Sequence, residues 1–207
     1  MGISYSQISS EEMRVYIRDT GFSVPKIQML KTRFDALDRG FKGYLDRGDF
    51  LAIPELVLNP VGDRIIDLFF QQRQDEEHGG MGMGEKLTFR NFLKAIVIFR
   101  PVKDKGCGVG NIPSLEESTP NSRRNKLAFA FRMYDLNGDG SITKEEILGV
   151  LLMMVGNEVP DEQLTCIAQR AILEVDENAD GELSFEEYVK IMERVDVEQK
   201  LSIKFLD

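Results

Sequence analysis

The sequence predicts a mainly α-helical protein built from helix–loop–helix units in two lobes. Apolar residues recur three and four positions apart in successive segments, which is the spacing of amphipathic helices. Glycine and proline accumulate between residues 101 and 125, where this spacing lapses. Two twelve-residue stretches, 135–146 and 176–187, alternate acidic or amide side chains with other residues, and each lies between two predicted helices. These observations indicate two lobes that are joined by a linker.

Local signals predict where the first helices begin and end. Ser9 and Glu12 have the spacing of a capping box, and Gly21 can close the helix that follows. Ser23 precedes a second helix, whose apolar face is Ile27, Leu30, Phe34 and Leu37. The same spacing predicts helices at Arg64–Phe70, Phe89–Phe99, Leu127–Tyr134, Ile147–Met154, Leu164–Val175 and Tyr188–Val195. The predicted parts are an N-terminal segment and helix at 1–22, an N-terminal lobe at 23–100, a linker at 101–120, a C-terminal lobe at 121–195 and an apolar tail at 196–207.

The formal net charge of −9 is concentrated in the two acidic stretches. Residues 1–110 carry 16 basic and 15 acidic side chains, whereas residues 111–207 carry 10 and 20. The net charge is −3 over residues 135–146 and −6 over residues 176–187, which together equal the charge of the whole chain. Such clustering disfavours folding unless a cation neutralises it. The acidic balance argues against a nucleic-acid partner, and no apolar run is long enough to span a membrane.

Both acidic stretches match the twelve-residue calcium loop at its diagnostic positions. Positions one, three and five supply side-chain oxygens, and a glycine at position six permits the sharp turn. Position seven supplies a backbone carbonyl, and a glutamate at position twelve binds with both carboxylate oxygens. The oxygen-only set predicts two Ca²⁺ per chain, with Mg²⁺ as a competitor. The predicted ligands are Asp135, Asn137, Asp139, Ser141 and Glu146 in one loop and Asp176, Asn178, Asp180, Glu182 and Glu187 in the other.

The N-terminal lobe repeats this pattern without its chemistry. Residues 38–49 keep an aspartate at position one and a glycine at position six, but Gly40 offers no ligand and Lys42 places a cation where an oxygen belongs. A further copy is predicted near residues 80–91, with glycines where acids are needed. Neither loop is expected to bind calcium. In the C-terminal lobe, Ile142 and Leu183 hold the eighth positions and are expected to pair across a short β-bridge.

Four such units, two complete and two degenerate, resemble the calcineurin B branch of the EF-hand family. The resemblance is greatest to the calcineurin B homologous proteins, through the segments at 53–56, 59–66 and 195–206. It implies four EF-hand units in two lobes, with short β-bridges between paired loops. It also implies that the chain binds an amphipathic juxtamembrane helix of a plasma-membrane Na⁺/H⁺ exchanger and regulates its activity, stability or trafficking. Calcineurin B itself has four working loops, so the damage at Lys42 and Gly80 favours the homologous-protein branch.

The amino terminus predicts a lipid attachment. Gly2 follows Met1 and Ser6 holds the sixth position, which fits the N-myristoylation pattern. One acyl chain gives only reversible membrane binding, and residues 1–13 contain no Lys or Arg, so lasting attachment is expected to need a membrane-bound partner. The resemblance implies a cytoplasmic protein that is peripheral at the plasma membrane and endomembranes. Two segments, Leu148–Val155 and Val189–Val197, resemble nuclear export signals and suggest nuclear shuttling, although core packing explains them equally well.

The helices that follow the calcium loops predict a groove for a partner helix. Calcium binding opens a sensor EF-hand pair and exposes apolar side chains, and methionine adapts to varied targets. Part of this set is expected to be ordinary core, and the apolar tail from Leu201 to Leu206 is another possible occupant. The predicted groove residues are Ile147, Val150, Leu151, Met154, Val189, Met192 and Val195.

The sequence therefore predicts a calcium-binding regulatory protein and not an enzyme, since it has one histidine and no suggested nucleophile–base pair. The alternative within this class is the regulatory B subunit of a calcineurin-type phosphatase, bound to calcineurin A, or an inhibitor that competes for its place. An alternative from another class is a soluble calcium buffer without a target. A buffer would bind calcium without exposing an apolar surface.

Overall fold

The computed structural model describes residues 8–71, 86–101, 119–156, 158–196 and 200–201. Gly2, Gly80, most of the predicted linker and the tail beyond Leu201 lie outside this set. The described chain is mainly helical, as predicted, with four two-residue strands. The helices are α1 (Ser10–Thr20), α2 (Val24–Leu37), α3 (Arg47–Phe50), α4 (Pro54–Val57), α5 (Gly62–Gln71), α6 (Phe89–Val97), α7 (Arg123–Tyr134), α8 (Lys144–Val155), α9 (Asp161–Leu173) and α10 (Phe185–Ile191), followed by a 3₁₀ turn at Met192–Arg194. None of these helices has the length and apolar character needed to cross a bilayer.

The first helix begins and ends where the sequence predicts. The Ser9 hydroxyl accepts the backbone N–H of Glu12, and the Glu12 carboxylate accepts the backbone N–H of Ser9 at 2.9 Å. This reciprocal pair satisfies two N–H groups that have no partner within the helix. Gly21 ends α1 with a positive φ of 66°, a conformation that glycine adopts without steric cost.

The N-terminal half, described over residues 8–71 and 86–101, has its own apolar core. Phe34 is completely buried at its centre, with ring centroids 5.3 Å from Phe89 and 5.4 Å from Phe92. Strands β1 (Tyr44–Leu45) and β2 (Leu87–Thr88) pair antiparallel, so that Leu45 lies opposite Leu87. Other buried members of the core are Phe22, Ile27, Leu30, Phe50, Ile66, Leu93 and Val97.

A close backbone contact explains one glycine at the start of α5. A Cβ atom at Gly62 would lie 1.9 Å from the carbonyl oxygen of Leu56, which is far below any real contact distance. The Gly62 N–H also donates to the carbonyl of Asn59 at 2.8 Å and closes the turn before the helix. Only glycine fits this position without moving the backbone.

The C-terminal half, described over residues 119–156, 158–196 and 200–201, is built around a second strand pair. Strands β3 (Ser141–Ile142) and β4 (Leu183–Ser184) pair antiparallel with Ile142 opposite Leu183, which confirms the predicted bridge. Both side chains are buried in a core that also contains Leu127, Phe131 and Tyr188. The bridge therefore joins the eighth positions of the two acidic loops.

The two halves pack together through α5, the end of α6 and α7. Leu68, Ile98 and Phe129 form a small buried cluster there, and Phe99 meets Phe129 edge to face with ring centroids 4.9 Å apart. The side-chain amide of Asn121 donates to the carbonyl of Pro101 at 3.3 Å and adds a polar contact. This junction places the N-terminal half directly against α7, the helix that leads into the first acidic loop.

Candidate calcium sites

The backbone of three loops follows one conformational pattern. In loop 135–146, the fourth and sixth residues are Gly138 and Gly140, with φ values of 77° and 92°. In loop 176–187 the fourth residue is Ala179, with φ of 60°, and the sixth is a glycine with φ of 84°. The degenerate loop 38–49 has positive φ at its own fourth and sixth residues, Phe41 and Gly43. Non-glycine residues rarely adopt this conformation, so its repetition marks a shared loop geometry.

In loop 135–146 the oxygen-bearing side chains turn back onto the loop. The Asp135 carboxylate accepts the N–H of Gly138 at 2.7 Å and of Gly140 at 3.1 Å. Asn137 accepts the N–H of Asp139 at 2.8 Å, and Asp139 accepts the N–H of the seventh residue at 2.9 Å. The predicted side-chain ligands at positions one, three and five therefore belong to one hydrogen-bonded turn.

Loop 176–187 repeats three of these four hydrogen bonds. Asp176 accepts the N–H of Gly181 at 2.8 Å, and Asn178 accepts the N–H of Asp180 at 2.8 Å. Asp180 in turn accepts the N–H of Glu182 at 2.9 Å. The same contacts at the same positions indicate that both sequences specify one loop structure.

A glutamate at the twelfth position closes each loop. One oxygen of Glu146 accepts the backbone N–H of Leu136 at 2.9 Å, and the other accepts the N–H of Thr143 at 2.9 Å. Glu187 makes the equivalent contacts with Glu177 at 3.0 Å and with Ser184 at 2.9 Å. Each carboxylate thus reaches from the first turn of the following helix to the beginning of its loop.

The same hydrogen bonds keep these glutamates ionised. Burial raises the pKa of Glu146, but hydrogen bonds from the Thr143 hydroxyl and from the backbone N–H groups of Thr143, Asn137 and Leu136 together outweigh it and hold the pKa below its ordinary value. The Ser184 hydroxyl and backbone N–H lower the pKa of Glu187. Each carboxylate therefore stabilises the fold above its ordinary pKa, and this stabilisation is lost as the pH falls through the lowered value.

The residues of both loops suit a hard cation. Every predicted side-chain ligand is a carboxylate or an amide oxygen, which are the ligands that Ca²⁺ prefers, and neither loop contains His or Cys. Among the described residues, no three Asp, Glu, His or Cys side chains lie close enough to form a metal-binding group by themselves. Instead, backbone N–H groups of the loops donate hydrogen bonds to the carboxylate oxygens. Ion binding would exchange these hydrogen bonds for metal ligation.

The two loops are also linked to each other through a side chain. The Ser141 hydroxyl donates to a carboxylate oxygen of Glu182 at 2.6 Å. Both residues hold the seventh position of their loops, next to the paired residues Ile142 and Leu183. The two loops are therefore joined by a strand pair and by a hydrogen bond between side chains.

The degenerate loop 38–49 contains its own cation. Lys42 Nζ lies 2.6 Å from an oxygen of Asp46 and 2.7 Å from an oxygen of Asp49, the ninth and twelfth positions of the loop. Asp38, at position one, accepts the backbone N–H of Gly43 at 2.7 Å, as in the acidic loops. The hydrogen bonds to Asp46 and Asp49 raise the pKa of Lys42, so the ammonium stays charged. This gives a structural reason for the predicted loss of metal binding.

Replacing Lys42 by methionine is expected to lower the melting temperature of the calcium-free protein by several degrees. Asp49 is 5% exposed and would lose the cation that neutralises it. Thermal unfolding in chelator, followed by circular dichroism, measures the effect. Lys42→Arg should retain most of the stability, and Lys144→Met, which removes an exposed lysine beside Glu145, should change it little. An unchanged melting temperature for Lys42→Met would contradict this role.

The predicted groove residues lie in different environments. Val150 is 4% exposed and belongs to the buried interior. Met154 is 55% exposed at the end of α8, and Leu151 is half-buried. The remaining members are partly buried and pack against the C-terminal core; they are Ile147, Val189, Met192 and Val195.

Other exposed apolar side chains were not predicted. Leu152 and Met153 on α8 are 36% and 46% exposed, and Ile167 and Leu173 on α9 are 51% and 70% exposed. Residues 150–155 are apolar without interruption, so helical spacing cannot separate a buried face from an exposed one. The exposed set therefore becomes visible only when the packing of α8 against α9 is known.

The sequence analysis also did not predict two buried cations. Lys126 on α7 is completely buried, and its ammonium donates to the carbonyl of Leu201 at 3.2 Å. Leu201 packs against the C-terminal core. It is the first residue of the apolar segment from Leu201 to Leu206 that the sequence analysis gives as another occupant of the groove. Arg64 on α5 is also buried, and it contacts backbone carbonyls of the C-terminal half. The sequence indicates its burial only through its spacing: Arg64 lies four residues before Leu68, so both share one face of α5.

Comparison with known proteins agrees with this architecture. The family model of an EF-hand domain pair matches residues 124–193, which include both acidic loops. The calcineurin B subunit of Naegleria gruberi is 36% identical over 204 residues, and that of Candida glabrata is 32% identical over 205, with 99% of both chains covered in each case. The calcineurin B subunit of Kluyveromyces lactis is 37% identical over 186 residues, or 90% of each chain. The chain therefore belongs to the calcineurin B family of EF-hand proteins.

Proposed function

We propose that this protein is the calcium-binding regulatory subunit of a calcineurin-type phosphatase. The observation that carries the proposal is the match, over nearly the whole chain, to proteins named as calcineurin B subunits. The predicted exchanger partner has no such support from the comparisons. The chain itself is proposed to be regulatory and not catalytic, with calcineurin A as the catalytic partner.

Two Ca²⁺ ions are proposed to bind through loops 135–146 and 176–187. The oxygen ligands, the glycine turns and the closing glutamates support this assignment, with Mg²⁺ as the competitor. Each closing glutamate lies in the first turn of the helix after its loop, so metal ligation by Glu146 or Glu187 would act directly on α8 or α10. Reorientation of these helices is the step by which calcium would change the affinity for a partner.

The exposed apolar side chains of α8 and α9 support an amphipathic helix as the partner. Met153, Met154, Ile167 and Leu173 are between 46% and 70% exposed, and they lie on two helices that pack against each other. Methionine accommodates helices of different sequence because its side chain is flexible and polarisable. The apolar face of a calcineurin A helix has the chemistry that fits such a surface.

The exchanger helix stays a second candidate because of Lys42. A lysine that bridges Asp46 and Asp49 departs from the four working loops of calcineurin B. This departure favours the homologous proteins that regulate Na⁺/H⁺ exchangers. The N-terminal half is accordingly proposed to be a second EF-hand pair with degenerate loops, which the paired strands β1 and β2 support.

A competition experiment distinguishes the two partners. The full chain is immobilised and offered equal amounts of a calcineurin A helix peptide and an exchanger juxtamembrane helix peptide, with calcium or with chelator. We expect preferential capture of the calcineurin A peptide in calcium. Preferential capture of the exchanger peptide would overturn the proposal in favour of the second candidate. Capture of neither peptide, together with no calcium-dependent binding of an apolar dye, would indicate a calcium buffer.

A charged substitution locates the docking surface. Met154→Asp should weaken peptide capture about tenfold or more, because it places a carboxylate among apolar contacts. Phe41→Asp is the matched control, since Phe41 is 78% exposed but lies at the tip of loop 38–49. Equal loss in both variants would contradict the assignment to α8. Phosphatase activity of the assembled complex then separates a regulatory subunit from an inhibitor that only takes its place.

Membrane attachment through Gly2 is a separate proposal that rests on the amino-terminal pattern. The residue lies outside the described part of the structure. The proposed location is the cytoplasm, with reversible attachment to the plasma membrane and endomembranes and with nuclear shuttling. Mass spectrometry of the native protein would test it: a myristoyl mass on Gly2 is expected, and an unmodified terminus would contradict the proposal.

A further inference from the structure

One buried arginine connects the N-terminal half to the beginning of the first acidic loop. Arg64 on α5 is only 7% exposed, and its Nη2 donates to the backbone carbonyls of Arg132, at 2.5 Å, and of Asp135. Arg132 lies in the last turn of α7, and Asp135 is both the residue that caps this helix and the first predicted calcium ligand. A single guanidinium therefore donates hydrogen bonds to the backbone at the end of α7 and at the beginning of loop 135–146.

The contact answers a requirement of the helix end. The last carbonyls of an α-helix have no partner within the helix and carry partial negative charge. The Arg64 guanidinium supplies N–H donors and a positive charge at this place. Asp135 is consequently held from two sides, because its carbonyl accepts from Arg64 while its carboxylate accepts from Gly138 and Gly140.

This contact is largely buried. Leu68, one helical turn after Arg64, is 1% exposed and clusters with Ile98 and Phe129 at the junction of the halves. Within the described residues, the Arg64 Nε atom is buried without a hydrogen-bond partner. Burying a cation with one unsatisfied nitrogen costs folding free energy.

The arginine distinguishes the two acidic loops from each other. Asp176, the first residue of the other loop, lies three residues after the end of α9, whereas Asp135 follows α7 directly. The Asp176 N–H donates to the carbonyl of Ile172 at 2.9 Å, and the Asp135 N–H donates to that of Phe131. The Arg64 guanidinium, however, donates to the start of loop 135–146 and not to loop 176–187. The two loops thus share their internal network but differ in their connection to α5.

We propose that Arg64 is a positioning residue that couples calcium binding in loop 135–146 to the N-terminal half. The guanidinium holds the backbone of Asp135 in place, so the first ligand is prepared before the ion arrives. Since such coupling is reciprocal, calcium in this loop also holds α5 against α7. The inference rests on the proposed calcium binding of loop 135–146.

Charge and geometry predict opposite effects, which allows a sharp test. The positive charge of Arg64 alone would repel Ca²⁺, so its removal would strengthen binding. The positioning role predicts instead that Arg64→Met weakens binding in loop 135–146 by about fivefold or more, the usual lower range of such coupling. Arg64→Lys keeps the charge but loses the fork of donors, so its affinity should also fall below that of the unchanged protein.

Nuclear magnetic resonance of the full chain can follow each loop separately. The amides of Gly140 and Gly181 donate to the first carboxylate of their own loops, so each resonance should shift when its loop binds calcium. In Arg64→Met the Gly140 midpoint should move to higher calcium and the Gly181 midpoint should change much less. Arg47→Met is the matched control, because Arg47 pairs with Asp63 and Asp67 and should leave both midpoints in place.

Hydrogen exchange provides a readout that a merely structural role would not move. In the unchanged protein, calcium should slow amide exchange in α5, and this calcium dependence should disappear in Arg64→Met. If the arginine variants leave both midpoints and the protection of α5 unchanged, or if Arg64→Met strengthens calcium binding, the coupling is refuted. If the unchanged protein shows no calcium-dependent shift at Gly140 or Gly181, it is the proposed function that fails.

Discussion

Replacing Glu146 and Glu187 together by glutamine is expected to abolish calcium binding in the micromolar range. Each glutamate is the predicted bidentate ligand of its loop, and its replacement by the amide removes a full negative charge at the predicted ion position. We expect each affinity to fall by about 100-fold or more. The glycine amide resonances of the two loops provide the measurement. Glu146→Gln alone should suppress mainly the calcium response of Gly140, and Glu187→Gln mainly that of Gly181.

Neighbouring glutamates supply the controls for this prediction. Glu145 and Glu186 precede the closing glutamates but are 74% and 67% exposed in their side chains. Their replacement by glutamine changes the net charge equally without removing a predicted ligand. Calcium binding should therefore be nearly unchanged in the control pair. If both pairs of substitutions weaken calcium binding equally, the net charge of the loops, and not ligation by the closing glutamates, explains the affinity.

Phe34→Ala is expected to lower the free energy of unfolding of the N-terminal half by about 3–5 kcal/mol. The Phe34 side chain is completely buried and contacts Phe89 and Phe92 edge to face, so truncation leaves a cavity between α2 and α6. Urea denaturation measures the loss, with hydrogen exchange of the backbone amides in α2 and α6 as the probe.

A second phenylalanine provides the comparison for the core. Phe41 is 78% exposed, so Phe41→Ala removes the same atoms from the surface and should change the free energy by about 0.5 kcal/mol or less. A similar loss in both variants would mean that the N-terminal half lacks the core described for it. A large loss for Phe34→Ala alone would confirm that this half is packed around its own aromatic centre.

Patterns that act within a few residues predicted the structure well. The capping box at Ser9, the glycine end at Gly21 and the buried face of α2 follow from local geometry, and the structure confirms them. The pairing of Ile142 with Leu183 was also predictable, because both hold the same position in loops of fixed length. The roles of the calcium ligands were predicted by the same spacing and stay predictions.

Contacts between distant segments were not predictable from one sequence. The Arg64 guanidinium reaches carbonyls 68 and 71 positions further along the chain, and nothing in local spacing indicates such a contact. The exposure of Met153 depends on how α8 packs against α9, since every residue from 150 to 155 is apolar. The sequence marked Lys42 as a misplaced cation, but the carboxylates that it bridges became evident only from the fold.

Titration calorimetry of the full chain with Ca²⁺ tests the central claim most directly. The claim is that loops 135–146 and 176–187, which together hold the −9 charge of the chain, are its only calcium sites. We predict two ions per chain, with heat from both lost in the Glu146→Gln, Glu187→Gln double variant. A count of four would show that the lysine-bridged loop and its partner also bind calcium. A count of zero would contradict the claim altogether.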